Sequence, residues 1–539
     1  MSQHRIVICD ELAPQAMEVF QARGLKPEVM TGLKGEELHA ALADADAIVV
    51  RSATKLTKEV LAAAKKVKVI GRAGIGVDNI DVPAATAQGI VVMNTPLGNT
   101  TTTAELALAL LFSIARHIPR ADRTVRSGSW KKKALVGTEI TGKTLGIIGL
   151  GRIGRIVADR ARGLGMQVIA FDPYLDAKSA PAGTPELLEL PEMLARVDFL
   201  TIHVPLVPAT KNLISWKELQ GIKPGARLIN ASRGGVVDEE AVLDALSDGR
   251  LAGAAFDVLA EEPPGPDHPL IGRDDVIVTP HLGASSSEAQ LRVAVDIAEQ
   301  ISEYLLNGVA KNAINAPSIP EEHQRELAPF LTLAEKLGSF LAQRIGKPIR
   351  KVEFTVAGEV VRLGTEHLRL AFLTGVLKSS MESGVNAVNA PALAKERGIL
   401  VLENSETDAA YSQGEIRITA SERAGGEAIF VSGAVFGNAP RITSINGVRV
   451  DLAPRGHLLL TQHTNRPGMV GHIGTVLGQH HINIHRLELG QPQHGQDGPS
   501  FGFLTLQAPP EGGALREGGA ALQEIQAIEG IQRAQYIEL

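Results

Sequence analysis

Short β-branched apolar runs alternate with Ala-rich amphipathic stretches over the first two-thirds of the chain, the pattern of a parallel sheet covered by helices. Arg5–Cys9, Ala47–Val50, Val67–Ile70 and Ile90–Met93 are the first such runs and predict one α/β domain. A long helix is predicted from about Thr102, where Thr102 and Glu105 stand at capping-box spacing, through Leu106–Ile118, with Gly128 marking an end. A second series follows at Leu145–Gly149, Gln167–Phe171, Phe199–His203, Ala226–Asn230, Ala252–Phe256 and Val276–Thr279. Six strands at that spacing predict a doubly wound sheet. Ser285 and Glu288 offer a capping pair for a further helix closing near Gly308, whose place in the order predicts a return to the first domain. The first domain is therefore expected to be discontinuous, 1–98 with 286–316, around an inserted domain at 99–285.

The pattern changes after Asn315–Pro320, a polar stretch with two prolines that reads as a linker. One amphipathic helix is expected over about Ala328–Ile345, then a strand with one buried face over Arg350–Val356. Asn446-Gly447 between two strand-like runs is a two-residue hairpin signal, so 318–452 is read as a mixed α+β domain. From His457 the order is strand, turn, helix, strand, polar loop, strand, helix, strand, which predicts a ferredoxin-like domain at 455–539. Gln491–Ser500 is expected to be a hairpin loop.

Composition narrows the function classes. With 44% apolar and 21% charged residues in 539, a large core is possible and wholesale disorder is excluded. The net charge of −6 gives no electrostatic reason to expect nucleic-acid binding. Cys9, the single cysteine, excludes an internal disulfide framework and a Cys-based zinc site, which fits a reducing cytoplasm. No apolar stretch of signal-peptide length precedes Asp10, and the most apolar long run, Leu106–Ala115, is too short to span a bilayer. A cytoplasmic location with no membrane partner is expected. Seven of the 15 histidines lie between His457 and His494. His480 and His481 would point to opposite faces of a strand and no cysteine assists, so no metal is expected there.

The candidate chemistry begins at Gly149, Gly151 and Gly154, a G-x-G-x-x-G directly after an apolar strand. The first glycine permits a tight turn, the second lets backbone approach a pyrophosphate, and the third allows close helix–strand packing. Asp172, 18 residues beyond Gly154 at the end of the next strand, is placed to accept from adenosine ribose hydroxyls and to repel a 2′-phosphate, which points to NAD. Three polar residues each follow a later strand, where such a fold places its cleft: Arg233, Glu262 and His281. Oxidising a 2-hydroxy acid needs a base for the hydroxyl proton while hydride leaves C2, and His281 can be that base. Glu262 would orient the imidazole, and Arg233 would hold substrate oxygens in a forked bond.

Gly71-Arg-Ala-Gly-Ile-Gly-Val-Asp-Asn-Ile-Asp81, Met93–Pro96, Gly149–Gly154, Ala231–Gly235, Asp257-Val258 with Glu261–Pro263, and Pro280–Ala284 together resemble the D-isomer-specific 2-hydroxyacid dehydrogenase family, in order along essentially the whole chain. The resemblance implies Arg233, Glu262 and His281 as catalytic residues. It also implies cofactor contacts from Gly149, Gly151, Arg152, Ile153, Gly154, Asp172, Val204, Ala231, Ser232, Asp257, Gly283 and Ala284. Ile75 departs from the hydroxyl residue that relatives often carry, so no side-chain contact to the cofactor phosphate is expected there. It is the long members of the family that the chain resembles most, those that oxidise 3-phospho-D-glycerate to 3-phosphohydroxypyruvate with NAD at the entry to serine synthesis. A phosphorylated substrate needs cations beyond the carboxylate clamp. Arg51 and Arg72 end successive strands of the first domain, and the resemblance puts both, with Gly74, near substrate. Lys131–Lys133 could add charge across a dimer, because the preceding long helix resembles the family's dimerising arm.

The stretch His463-Thr-Asn-Arg-Pro-Gly468, a helix and Ile482–Ile484 resemble an ACT domain, a ligand-sensing module. That resemblance implies L-serine as effector, held by His463, Asn465 and Asn483, and a homo-oligomer, dimer or tetramer. The expected architecture is thus an α/β chain: a Rossmann domain inserted in a substrate domain, then an intervening and an ACT domain. The alternatives are reduction of glyoxylate, hydroxypyruvate or 2-oxoglutarate on the same site, and a nucleotide-sensing scaffold without catalysis.

Overall fold

Strands that are apolar on both faces need cover on both, and the order of elements in the chain supplies it. A computed structural model describes residues 4–176, 180–317, 319–381, 384–422, 428–490, 500–507, 513–516 and 518–539. The first sheet contains β1 (Ile6–Ile8), β2 (Glu28–Val29), β3 (Ala47–Val50), β4 (Val69–Arg72) and β5 (Val91–Asn94), all parallel in the order β2-β1-β3-β4-β5. One face is closed by the helix Ser287–Asn307, whose Val293, Ile297 and Ile301 pack with Ile6, Val49, Val69 and Met93. A Cβ on Gly71 would come within 2.7 Å of Ile297, so this helix rides directly on the backbone of β4. The chain therefore returns to its first sheet as expected. The cap is Ser286, whose hydroxyl accepts from Ala289 N at 3.2 Å, rather than Ser285. Cys9 is buried just after β1, and burial pushes its thiol up to about 12.

The segment read as a linker is anchored at its start. Asn315 Oδ1 accepts from Val92 N at 2.9 Å, while its amide donates to Thr86 Oγ1 at 2.9 Å and to Ile90 O at 2.8 Å.

The second sheet contains β6 (Thr144–Ile148), β7 (Gln167–Phe171), β8 (Glu186–Leu187), β9 (Phe199–Ile202), β10 (Ala226–Asn230), β11 (Leu251–Phe256) and β12 (Val276–Val278). Its order is β12-β11-β10-β9-β6-β7-β8, all parallel. The chain reverses direction across the sheet between β6 and β9, the switch point at which such folds open a crevice. The long helix differs from expectation. It runs Thr100–Arg116, breaks at His117 with a left-handed φ of 53°, and resumes as Ile118–Arg126. Pro119 has no N–H to give Ala115 O, and Thr138 N takes that carbonyl instead at 2.9 Å. The pair read as a capping box is otherwise employed: Thr102 meets Ser286 Oγ at 3.1 Å, and Glu105 pairs with Arg160 at 2.8 Å.

The third sheet holds β13 (Lys351–Ala357), β14 (Leu400–Glu406), β15 (Glu415–Ser421), β16 (Ala428–Phe436), β17 (Ala439–Ile445) and β18 (Val448–Leu452), in the order β14-β13-β15-β16-β17-β18. Only the β13–β14 pair is parallel. Helices Glu321–Ile345 and Thr365–Lys378 cover one face; the former begins earlier than expected and holds Pro329 within it. Asn446 and Gly447 have φ of 47° and 80°, the double positive pair that a type I′ hairpin requires.

The fourth sheet is antiparallel: β19 (His457–His463), β20 (Ile484–Gly490), β21 (Ser500–Leu506) and β22 (Ile531–Glu538) in the order β20-β21-β19-β22, with helices Met469–Gln479 and Ala520–Ala527. That is the ferredoxin-like arrangement. Leu458, Leu460, Phe503 and Ile537 continue the core of the third sheet, so the last two units share one apolar interior. His480 ends the first of these helices and His481 follows it with φ 57°, so neither is on a strand; the opposite-faces argument falls with its premise. Positions 491–499 of the expected hairpin loop lie outside the described residues. Among the described residues, no helix is long and apolar enough to cross a membrane, and no cluster of three His, Cys, Asp or Glu could hold a metal.

Candidate active site

The loops leaving β6, β7, β9, β10, β11 and β12 meet the loop after β4 across one crevice. At its dinucleotide end, Gly149 turns with φ 89°, and a Cβ there would lie 2.7 Å from His203 O. A Cβ on Gly154 would come within 2.0 Å of Gly149 O. Gly151 faces open space at the start of the helix Arg152–Gly163, which no side chain caps. The turn thus leaves a bare helix N-terminus, which favours a phosphate. Asp172, just after β7, is held by Leu150 N at 2.9 Å and Tyr174 N at 3.0 Å, one on each oxygen, and spare lone pairs remain for ribose hydroxyls. The donor set fits a dinucleotide with an unphosphorylated 2′-hydroxyl. Arg152 reaches back across the crevice to Pro96 O at 3.4 Å.

At the other end, His281 follows β12 in the left-handed region, φ 54°, a strain that this kind of site often stores. Its Nδ1 lies 2.8 Å from Glu262 Oε2, and Glu262 Oε1 accepts from Leu259 N at 3.1 Å. The backbone around His281 is tied down by Asp257, which is 1% exposed. One Asp257 oxygen accepts from Thr279 Oγ1 at 2.6 Å and Leu282 N at 2.7 Å, and the other from Gly283 N at 2.8 Å. Those bonds make Asp257 a builder of the His281 turn as well as a candidate cofactor contact.

Two guanidinium groups line the same cavity as the imidazole. Arg233 follows β10 in a turn organised by Asn230, which donates to Arg233 O at 3.0 Å and accepts from Ser232 N and Oγ at 3.1 and 2.8 Å. Its Nε donates to Asp78 Oδ2 at 3.0 Å. Arg72 ends β4 and is largely buried, with Nε unpartnered; burial first, and then Arg233, pull it down to about 10, still a cation at neutral pH. Gly74 has φ 150°, and a Cβ on it would sit 1.8 Å from Arg72 Nη1; one on Gly76 would sit 2.0 Å from Arg233 Nη2. The two glycines make room for the two cations. Arg51 stands apart from the cavity wall, donating to Glu11 O at 3.2 Å, although its charge is felt by Arg72.

One cavity brings together Arg72, Ile153, Val204, Ala231, Ser232, Arg233, Asp257, His281, Gly283 and Ala284. Ile75 and Gly76 of the Gly71–Asp81 stretch also line it, as do Asn99, Thr103, His203 and Pro205, to which no motif pointed. His203 and Pro205 follow β9 just as Arg233 follows β10, so strand ends alone carried that signal. His203 is half-buried at the cavity wall, with Nε2 3.0 Å from Thr201 Oγ1, and the desolvation of its ring pushes it down to about 4. Thr103 donates to Gly283 O at 2.8 Å, closing the cavity from the long helix.

Among the described residues of the fourth sheet, His463 lines a recess to which neither Asn465 nor Asn483 contributes. His463 is buried against a small apolar recess lined by Thr461, Val470, Ile473 and Leu487, while Asn465 and Asn483 are exposed. Asn483 precedes β20 and receives Gln507 N on its carbonyl at 2.9 Å. Lys131–Lys133 are exposed, next to a Trp130 that is 85% exposed.

Comparison with known proteins gives the following. Residues 108–283 match the family described as D-isomer specific 2-hydroxyacid dehydrogenase, NAD binding domain. Residues 326–446 match the D-3-phosphoglycerate dehydrogenase intervening domain. The D-3-phosphoglycerate dehydrogenase of Archaeoglobus fulgidus is 39% identical over 535 residues, covering 99% of this chain and 100% of that one. That of Bacillus subtilis is 41% identical over 466 residues, 85% of this chain and 86% of its own. Among solved structures, the NAD+-bound 3-phosphoglycerate dehydrogenase of Entamoeba histolytica aligns with a TM-score of 0.50 at 27% identity, covering 58% of this chain and 99% of that one.

Proposed function

The chain belongs to the D-isomer-specific 2-hydroxyacid dehydrogenase family, among its D-3-phosphoglycerate dehydrogenases, and from that premise we propose which residues perform each part of the reaction. The reaction is NAD-dependent oxidation of 3-phospho-D-glycerate to 3-phosphohydroxypyruvate, in serine biosynthesis. When bound, NAD supplies the acceptor for the hydride that leaves C2. Gly149, Gly151, Gly154 and the first turn of the following helix hold its pyrophosphate, and Asp172 its ribose. Arg233 takes the substrate carboxylate in a forked bond. His281 removes the hydroxyl proton at Nε2, and Glu262 stabilises the imidazolium through Nδ1. Arg72, made room for by Gly74, meets the phosphate, with Arg51 at the rim.

The single observation that carries this assignment is the 2.8 Å contact of Glu262, which stands outside the cavity wall, with His281, which lines the same cavity as Arg233. Steady-state oxidation of 3-phospho-D-glycerate and D-glycerate tests it. Preference for the phosphorylated acid in kcat/KM by about 10³-fold or more is expected, falling sharply in Arg72→Met. Equal turnover of both acids would refute the phosphate role of Arg72. Arg233→Ala should remove nearly all activity on either.

The same reading includes the domain limits 1–98 with 286–316, 99–285, 318–452 and 455–539, and a cytoplasmic enzyme, supported by its single buried cysteine. It includes an ACT domain that takes L-serine at His463, Asn465 and Asn483; a calorimetric titration with no heat would remove that part. It also includes at least a dimer, supported by the exposed Ile118, Val125, Trp130 and Val136 on the arm after the long helix. Sedimentation of Trp130→Glu, expected to shift toward monomer, tests the arm.

A further inference from the structure

Glu239 and His268 lie outside the catalytic cavity, yet they fasten the loop that delivers Glu262. Glu239 is the first residue of the helix Glu239–Ser247. One of its carboxylate oxygens accepts from Ala260 N at 2.7 Å, and the other lies 3.0 Å from His268 Nε2. Both side chains are 15% exposed. Leu270 N donates to His268 Nδ1 at 3.4 Å, so the ring proton sits on Nε2 and points at Glu239. One carboxylate thus pins both feet of the loop between β11 and β12. Leu259 and Leu270 beside those feet are buried in the core of the second sheet.

The effect reaches the reacting group through one stretch of backbone. Ala260 N goes to Glu239, and the preceding amide, Leu259 N, goes to Glu262 Oε1 at 3.1 Å. Fixing one amide orients its neighbour. The same stretch lies against the Arg233 turn, where a Cβ on Gly234 would come within 1.9 Å of Leu259 O. A loop at a protein surface needs no near-buried carboxylate, since water can satisfy its amides, and desolvating that charge costs free energy. We propose that Glu239, held by His268, is a positioning residue that fixes the Leu259–Glu262 stretch so that Glu262 meets Nδ1 of His281; this rests on the roles proposed above for Glu262 and His281.

In the full-length enzyme, Glu239→Ala should lower kcat roughly 10- to 100-fold, while KM for NAD stays within about twofold. Glu239→Gln, which keeps an acceptor for Ala260 N, should recover most of the loss. His268→Ala should lower kcat in the same way by less. Wild-type kcat in Glu239→Ala, with only a lowered Tm, would make the contact structural and overturn the proposal; if that variant does not fold, His268→Ala decides between the same outcomes. Glu262→Gln is the reference. If it lowers kcat and the Glu239 and His268 variants do not, the positioning proposal alone falls. If Glu262→Gln itself leaves kcat unchanged, the reading of the site falls and takes the proposal with it.

Discussion

Gly74 shows how little space separates a working pocket from a blocked one. An added methyl would collide with Arg72 Nη1, and φ 150° is a conformation that only glycine adopts readily. Gly74→Ala is therefore expected to raise KM for 3-phospho-D-glycerate at least tenfold, about 1.4 kcal/mol, with KM for NAD unchanged in the same assay. His203 carries a different liability. Held near 4 in the fold against 6.5 when free, it stays neutral while the unfolded chain takes up a proton. Above about 6.5 both states are neutral and it has no effect. As pH falls from about 6.5 to about 4 it removes up to roughly 3 kcal/mol of stability, and little more below that. Denaturant titrations across this window should show a shallower acid loss in His203→Gln than in the wild type. Arg233, Glu262 and His281 were legible as a set, because each follows a later strand; taken singly, each has an ordinary reading as a surface or loop residue. Asn99 and Thr103 were not, since they lie in the first turn of a helix whose pattern reports only its buried face. The triple hold of Asp257 on the His281 turn was invisible for a similar reason: two of its three partners are backbone amides, which leave no trace in residue type.

Among the elements, the long buried strands announced themselves by continuous apolar runs, and Gln167–Phe171 and Ala226–Asn230 fall where the pattern put them. Glu28–Val29 and Glu186–Leu187 escaped, because two residues at a sheet edge carry no period to detect. The break at His117 escaped because Pro119 can sit in the first turn of a helix as easily as it can end one. A histidine with φ 53° at that break is strained where glycine would not be. His117→Gly should stabilise the protein by about 1 kcal/mol, read as a higher denaturant midpoint at unchanged slope. Asn315 is the opposite case, a side chain with three bonds to the segment from Thr86 to Val92. Asn315→Ala should cost roughly 2 kcal/mol, through unmet amides at the edge of the first sheet.

At the scale of the whole molecule, every residue of the catalytic cavity lies between Arg72 and Ala284, and the helix Ser287–Asn307 completes their support. The remainder is not idle cargo. Asn386 donates to Gly89 O at 2.7 Å, and Val388 enters the core of the first sheet, so the third unit is moored to the first. A chain ending at residue 317 is expected to keep oxidising 3-phospho-D-glycerate with kcat/KM within about tenfold of the full enzyme, but to unfold at lower temperature. Inactivity of a folded truncation would show that the mooring shapes the cleft itself. The order of four units was readable from where the hydrophobic period changes. Their mooring was not, since it rests on one asparagine and one valine in a loop. Cys9 has a practical consequence at this scale. Its thiol is 1% exposed and pushed up to about 12, so alkylating reagents at neutral pH should leave it untouched. The natural chain is thus a silent background for paired spectroscopic labels: two cysteines introduced on opposite lips of the crevice would report its opening and closing as a distance, with no native thiol to remove first.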